Sequence, residues 1–273
     1  MPVSRMSWLS KLNPRGVATR ARRSVSQHSP VTADPETCLM VFKNHWTQVL
    51  WILEKSETRQ SPVAADDLTA VRNYTDQMMY LLAEERTQES GTIGPILEFV
   101  VLENVLHKLL VWHQKQDFSE EKKVELLKLY EMLIIQSHQP MLKHKAIVVP
   151  LMRLLSTCSE PTSSILESNL VLLLNQLCVS MAREPSILEL FFHSPATDQG
   201  PTNLLIFSLL VPFIHRDGVI GQQARDALLL IMAMSASNHT IASYITDHSY
   251  FCPVSTFFQF VDTGLQHSYS SIA

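Results

Sequence analysis

Glycine is scarce in this chain, with seven in 273 residues, and none stands in a G-x-G-x-x-G or G-x-x-x-x-G-K-[ST] pattern. Nucleotide cradles of the usual kinds are therefore excluded. No G-x-S-x-G elbow and no H-E-x-x-H pair occurs, which removes the common hydrolase and zinc-protease patterns. The four cysteines, Cys38, Cys158, Cys178 and Cys252, are far apart and form no C-x-x-C pair. They read as reduced, buried thiols rather than a disulfide or zinc framework. His248 and Cys252 lie four apart, but a zinc site needs three or four converging ligands and no second pair is near in sequence. Cys252, His215 and Asp217 share no motif, and a thiol flanked by Tyr250, Phe251 and Pro253 reads as buried and inert. No metal or other cofactor is expected, and no enzyme activity. Charge is also short, at 18% of residues against a norm of about 25%. Ser235, Ser237, Asn238, His239 and Thr240 break the apolar run at Leu228–Met234 well short of the ~20 residues a membrane span needs, and no transmembrane segment is expected.

What is present is helical. Asp34-Pro35-Glu36 sets an N-cap, an N1 proline and an acidic first turn in the favoured order, opening a helix with Leu39, Phe42, Trp46, Val49, Leu50 and Leu53 on one face. Asp66 or Asp67 starts a second, with Val71, Tyr74, Met78, Leu81 and Leu82. Pro95 starts a third, running through Phe99, Leu102, Leu106, Leu109 and Leu110. Ser119-Glu120-Glu121 opens a fourth with Leu126, Leu129, Tyr130 and Leu133, and a fifth follows Pro140. Ser164-x-x-Glu167 reads as a capping box before Leu170, Leu173, Leu174 and Leu177. Shorter helices cover Ser186–His193 and Asn203–His215, and Gly218–Ser237 and Asn238–Ser249 complete the set. No segment alternates with period two, so the class is all-α. About ten helices of this length with short loops fit a bundle or a stack of helix pairs. An armadillo/HEAT-like α-solenoid is the expected form, although no strict repeat is visible. Most of the methionines, Met78, Met79, Met132, Met141, Met232 and Met234 among them, read as core filler.

The charges are unevenly placed: six in residues 1–33, thirty in 34–159 and twelve in 160–273. The first segment is purely basic and rich in Arg, Ser and Pro, and reads as a disordered tail over 1–33. Its acid-free composition also fits a transit peptide, against which Pro14 and Gly16 interrupt any long amphipathic helix. Trp8, Leu9, Lys11 and Leu12 form its one apolar–basic cluster, suited to peripheral contact with an anionic membrane surface at ~1 kcal/mol per nearby cation. A membrane-surface-targeting helical module using this basic N-terminus is thus the alternative reading of function. Nucleic acid is not expected as a partner, because aromatics are not interleaved with the cations and the folded part is acidic.

Arg216, Asp217, Arg225 and Asp226 are the only charges between Asp198 and Asp247. They cluster at the start of a helix whose middle, Leu228–Met234, looks apolar on every side and hence buried all round. The four read either as caps and local ion pairs or as part of a partner-binding surface. Asn238 reads as the N-cap of the next helix, with Ile241, Tyr244, Ile245 and His248 on one face.

The strings ARDALLLIMAMS and YITDHSYFCPV in this region, with SWLSKLNPRG at 7–16 and ADPETCLMVFKNHW at 33–46, resemble the FTS- and Hook-interacting protein family (FHF complex subunits). The resemblance covers most of Met6 to Val254 and matches only the N-terminal part of the longer family members. It implies an α-solenoid over 34–254, truncated at its C-terminal end and followed by an atypical tail over 255–273. Met6 would be the natural start. By resemblance the protein is a non-catalytic adaptor or scaffold for vesicle and protein transport. It would link endosomal vesicles to dynein on microtubules. Its partners would be a Hook-type coiled coil, FTS and a Rab-family GTPase, and its place the cytoplasm, peripheral on early endosomes or other vesicles.

Overall fold

The computed structural model describes residues 34–58, 63–86, 92–161, 163–192 and 205–247. Eleven α-helical segments and no strand occur among them. In order they are α1 (Pro35–Glu57), α2 (Ala65–Glu84), α3 (Pro95–Leu102), α4 (Val105–Lys115), α5 (Glu120–Gln136), α6 (Lys145–Ser156), α7 (Ser164–Arg183), α8 (Glu189–Phe192), α9 (Leu205–Leu210), α10 (Gly218–Ser235) and α11 (His239–Asp247). Short 3-10 turns at Met141–Lys143, Pro185–Ile187 and Val211–Phe213 join some of them.

Side-chain links between helices fix how they run. Arg72 pairs with Glu125 near the starts of α2 and α5, and Gln139 donates to Glu85 just past their ends. The two helices are therefore parallel. Lys123 near the start of α5 donates to the carbonyl of Thr157, shortly before α7, while Lys143 pairs with Glu184 just past the end of α7. Arg216 pairs with Glu167 at one end of α7 and α10, and Asn175 donates to the Gln223 carbonyl further along both. One layer thus contains α2, α5, α7 and α10, all pointing the same way and packed in that order. The other contains α1, α3 and α4, α6, then α8 and α9. Lys55 near the end of α1 pairs with Asp67 at the start of α2, so α1 and α2 form an antiparallel hairpin.

The core lies between and along these layers. Phe42 and Trp46 of α1, Met78 and Leu82 of α2, Leu97 of α3, Leu127 of α5, Ile147 of α6 and Leu170, Leu174 and Leu177 of α7 are almost wholly removed from solvent. By length and composition α7 could cross a bilayer. Here it sits between α5 and α10 with Leu166, Leu170, Leu173, Leu174 and Leu177 buried, as in a core helix.

Several sequence expectations need correcting. The helix expected from Pro95 through Leu110 is two helices, broken where Asn104 takes a left-handed backbone (φ 50°), a conformation Asn tolerates better than most residues. The break swings Leu102 out to 72% exposure. On α5 the buried face is Val124, Leu127, Tyr130 and Leu133, and Leu126 and Leu129 are only half-buried. The cap of α7 is Ser163, whose hydroxyl accepts from the Leu166 N–H at 3.2 Å, one residue before the expected box. Glu167 is thereby released for Arg216. Ser186–His193 is a 3-10 turn followed by a four-residue helix, with His193 outside the described residues.

The largest correction concerns α10, which is not buried all round. Gly221, Ala224, Ala227, Leu228 and Ile231 are buried, whereas Leu229 is 48% exposed and Ala233 also faces solvent. Leucine and alanine on a solvent face are compatible with a stable helix, so hydropathy alone could not mark the buried side. By contrast, the Asn238 cap is as expected: the Ile241 N–H donates to its side chain at 3.2 Å. Met78, Met79 and Met141 are core residues, but Met132, Met232 and Met234 are half-buried.

Candidate partner-facing surface at the start of α10

The elbow between α9 and α10 is anchored by Phe213 and Ile214, both buried. The Arg216 N–H closes back on the Phe213 carbonyl at 3.0 Å. Gly218 then opens α10 with φ +76°, where a side chain would be strained. Three residues on, Gly221 lies directly under the elbow. A Cβ there would fall 1.6 Å from the Arg216 carbonyl oxygen and 2.9 Å from a guanidinium nitrogen of Arg225. Glycine is what lets the elbow backbone close onto the helix.

Arg225 locks that approach. Its Nη1 donates to the carbonyls of Ile214 at 3.0 Å and Arg216 at 3.2 Å, and its Nη2 donates to Gln222 at 3.2 Å. One guanidinium satisfies carbonyls left over where the preceding turn ends. Arg216 points the other way, to Glu167 of α7 at 2.8 Å, and the carboxylate is the more buried partner (14% against 56% exposed). Asp217 precedes the helix but makes no side-chain cap hydrogen bond, and it is exposed. Asp226 accepts from Gln222 at 2.8 Å and is exposed.

The structure therefore brings the four sequence-derived residues together, in unequal roles. Arg225 holds the elbow, Arg216 fastens it to α7, and the two aspartates face solvent. Sequence reasoning missed Glu167, Gly221 and the exposed apolar residues beside them: Ile165 at 63%, Val219 at 72% and Leu229 at 48%. A signal for the packing was available. Gly221, Ala224 and Ala227 recur every three residues and form a small-residue stripe on the buried face of α10. Trp8, Leu9, Lys11 and Leu12, and His248 and Cys252, lie outside the described residues.

Elsewhere the chemistry is that of a packed interior. Burial pushes the Cys158 and Cys178 thiols up and the Tyr130 phenol up, away from their reactive charged forms. His113 is lowered to about 4, first by burial and then by Lys122. No group of three or more His, Cys, Asp or Glu side chains among the described residues could hold a metal ion. An open groove of about 200 Å³ runs between α1 and α4, lined by Leu50, Leu53, Glu54, His107, Val111 and Trp112. Another of about 230 Å³ lies under the Lys143–Glu184 pair. Both fall below the ~300 Å³ at which ligand pockets begin.

Fold and site together define an all-α protein, among the described residues, with a partly apolar, partly charged surface at the start of α10. Residues 96–273 match the family described as retinoic acid induced 16-like protein, and the chain belongs to that family. It is 59% identical over 98% of its length to FHF complex subunit HOOK-interacting protein 1B of Danio rerio, of which it covers 24%. It is 53% identical over 88% of its length to HOOK-interacting protein 1A of Homo sapiens, covering 23%, and 50% identical over 99% to the human 1B protein, covering 28%. The chain thus spans about a quarter of the length of these relatives. The resemblance read from the four sequence strings points to the same proteins.

Proposed function

We propose that the chain is a non-catalytic adaptor that contributes to a HOOK-interacting subunit of an FHF-type complex. The observation that carries this is the 59% identity to a HOOK-interacting protein across almost the whole chain, too high for the surface to have been rebuilt for unrelated chemistry. The parallel layer α2–α5–α7–α10 supports an armadillo/HEAT-like solenoid reading for residues 34–254. The upward-shifted thiols and the shallow grooves fit a scaffold better than an enzyme. On this reading the partners are a HOOK coiled coil and, following the family resemblance, FTS and a Rab-family GTPase. The site of action is the cytoplasmic face of early endosomes or related vesicles, coupling them to dynein. The test is co-purification of the 273-residue chain with a HOOK protein and with FTS. Retention of either above a scrambled-bait control supports the adaptor reading; loss of both refutes it for this chain.

A further inference from the structure

Among the described residues, three hydroxyls have an arginine three positions before them: Thr75 after Arg72, Ser156 after Arg153 and Ser186 after Arg183. An arginine at that spacing is a charge pattern by which basic-directed Ser/Thr kinases choose substrates. The fold treats the three differently. Thr75 is buried. Ser156 is the last residue of α6, and its hydroxyl donates to the Arg153 carbonyl at 2.8 Å. The negative end of the helix opposes a phosphate there. Ser186 lies outside the α-helices, in the 3-10 turn Pro185–Ile187, and both it and Arg183 are exposed.

The surroundings of Ser186 are charged on both sides. Its hydroxyl donates to one oxygen of the Glu184 carboxylate at 2.6 Å, while Lys143 holds the other oxygen at 3.1 Å. The Ser186 hydrogen bond first, and then Lys143, keep the Glu184 carboxyl below its ordinary pKa, so it is ionised at neutral pH. The turn Met141–Lys143 packs on the turn Pro185–Ile187, and Lys143 stands within a side-chain rotation of the Ser186 hydroxyl. We propose that Ser186 is a phosphorylation site for a basic-directed Ser/Thr kinase, and that the phosphate takes Lys143 from Glu184. The Ser186 oxygen attacks the γ-phosphorus of Mg-ATP, its O–H proton passes to the kinase's catalytic carboxylate, and ADP leaves. The product has about two negative charges at pH 7, beside an ionised carboxylate. Repulsion breaks the Ser186–Glu184 hydrogen bond, and Lys143 follows the stronger anion. The groove beneath the ion pair leaves room for that rotation. Ile187 and Leu188 are buried, so the segment lifts locally as the kinase binds. Single-turn bonds hold its backbone, from the Ile187 N–H to the Glu184 carbonyl at 3.2 Å and from the Leu188 N–H to the Pro185 carbonyl at 3.1 Å. That geometry is weaker than an α-helix and opens at lower cost. The inference does not depend on the adaptor reading.

The probe is activated calmodulin-dependent protein kinase II with Mg-ATP, acting on the whole 273-residue chain. The chain carries Ser26→Ala, because Arg23 precedes Ser26 by the same spacing. Peptide mass spectrometry locates the phosphate, and a free peptide of residues 179–192 serves as the unfolded reference. Ser186 is expected to be modified in most molecules of the chain. Arg183→Ala should slow that at least roughly fivefold, and Ser156→Ala should leave it unchanged. Phosphate on the peptide but not on the chain would show that the fold shuts the site, and overturns the proposal. Phosphate on neither, on Ser156 in place of Ser186, or at an unaltered rate in Arg183→Ala overturns it as well. Phosphorus NMR then tests the exchange of partners. Lys143→Met should raise the second pKa of the phosphoserine, ordinarily about 6, by about 0.3 or more. An unchanged value would leave Lys143 with Glu184 and sink the exchange. Circular dichroism checks that every variant is folded, and Arg183→Gln or Lys143→Gln replaces one that is not.

Discussion

Two places in the molecule solve the same problem with opposite charges. Where α3 begins, Glu85 arrives from beyond the end of α2 and accepts from the Ile96 and Leu97 N–H groups at 2.7 and 3.0 Å. Gln139 donates to the same carboxylate and accepts from the Gly94 N–H at 2.6 Å. Where the α9 segment ends, Arg225 collects the Ile214 and Arg216 carbonyls. A carboxylate gathers the free donors of a helix start and a guanidinium gathers the free acceptors of a helix end. Each knot needs a glycine, Gly94 against the Glu85 carboxylate and Gly221 against the Arg216 backbone. The difference lies in what presses on the glycine: a side chain in the first, the main chain in the second. The first knot can be loosened by a rotamer change, and the second only by moving the elbow.

That contrast sets the largest expected effect. Gly221→Ala should destabilise the protein by about 3 kcal/mol, since its Cβ must displace backbone. The thermal midpoint should fall by roughly 6–12 °C, followed by circular dichroism. Gly94→Ala should cost less, because Glu85 can swing aside. If the two alanines cost the same, the distinction between side-chain and main-chain packing fails. Next in size is Glu85→Ala, which strands the two N–H groups and the Gln139 amide. A loss of about 2–3 kcal/mol in urea unfolding is expected, with Glu85→Gln recovering part of it. A loss below ~0.5 kcal/mol would mean that water replaces the carboxylate.

Neither knot was legible in the sequence, although most helices were. Helix starts at Pro35, Pro95 and Glu120 follow from local chemistry, a proline or an acidic first turn, and local signals survive folding. The stripes of α1 and α2 were readable for the same reason, with Phe42, Trp46, Val49, Leu53, Val71, Met78, Leu81 and Leu82 buried. Glu85 to Ile96 and Arg216 to Glu167 join residues that only the packing of hairpins brings together. Ser164-x-x-Glu167 shows how this misleads: the pattern fits a box, but Ser163 caps and Glu167 bonds 49 positions away. The cluster at 216–226 was found from charge isolation alone. Charge isolation says nothing about which members are already paired, and that pairing decides what the surface offers.

The comparison extends to pH. The layer of α1 and α4 contains His113, lowered to about 4 from 6.5 by burial and by Lys122, and His45, also lowered by burial. A histidine with a depressed folded pKa binds fewer protons folded than unfolded. Stability should therefore be highest above pH 6.5 and fall as the pH drops towards 4. His113 supplies roughly 2 kcal/mol of that decline, and Asp76, raised by burial, offsets a little near the acid end. His113→Gln should flatten the urea midpoint between pH 6.5 and 4.5 while leaving a residual slope from His45 and His144. An unchanged slope would place the acid sensitivity elsewhere.

The smallest effect separates the two arginines of the elbow. Arg216 is more than half exposed and its pair with Glu167 is only partly shielded, so solvent screens most of the attraction. Arg216→Met should cost under ~1 kcal/mol, and less still at high salt. Arg225→Met should cost more, because the carbonyls it satisfies are held against Gly221 and lose their donors together. A double-mutant cycle of Arg216→Met with Glu167→Gln isolates the pair, and a coupling of roughly 0.5 kcal/mol or less is expected. A coupling above ~2 kcal/mol would show that the ion pair, not the guanidinium over Gly221, holds α10 to its neighbours. In that case the small-residue face of α10 would be a consequence of the elbow's position rather than its cause.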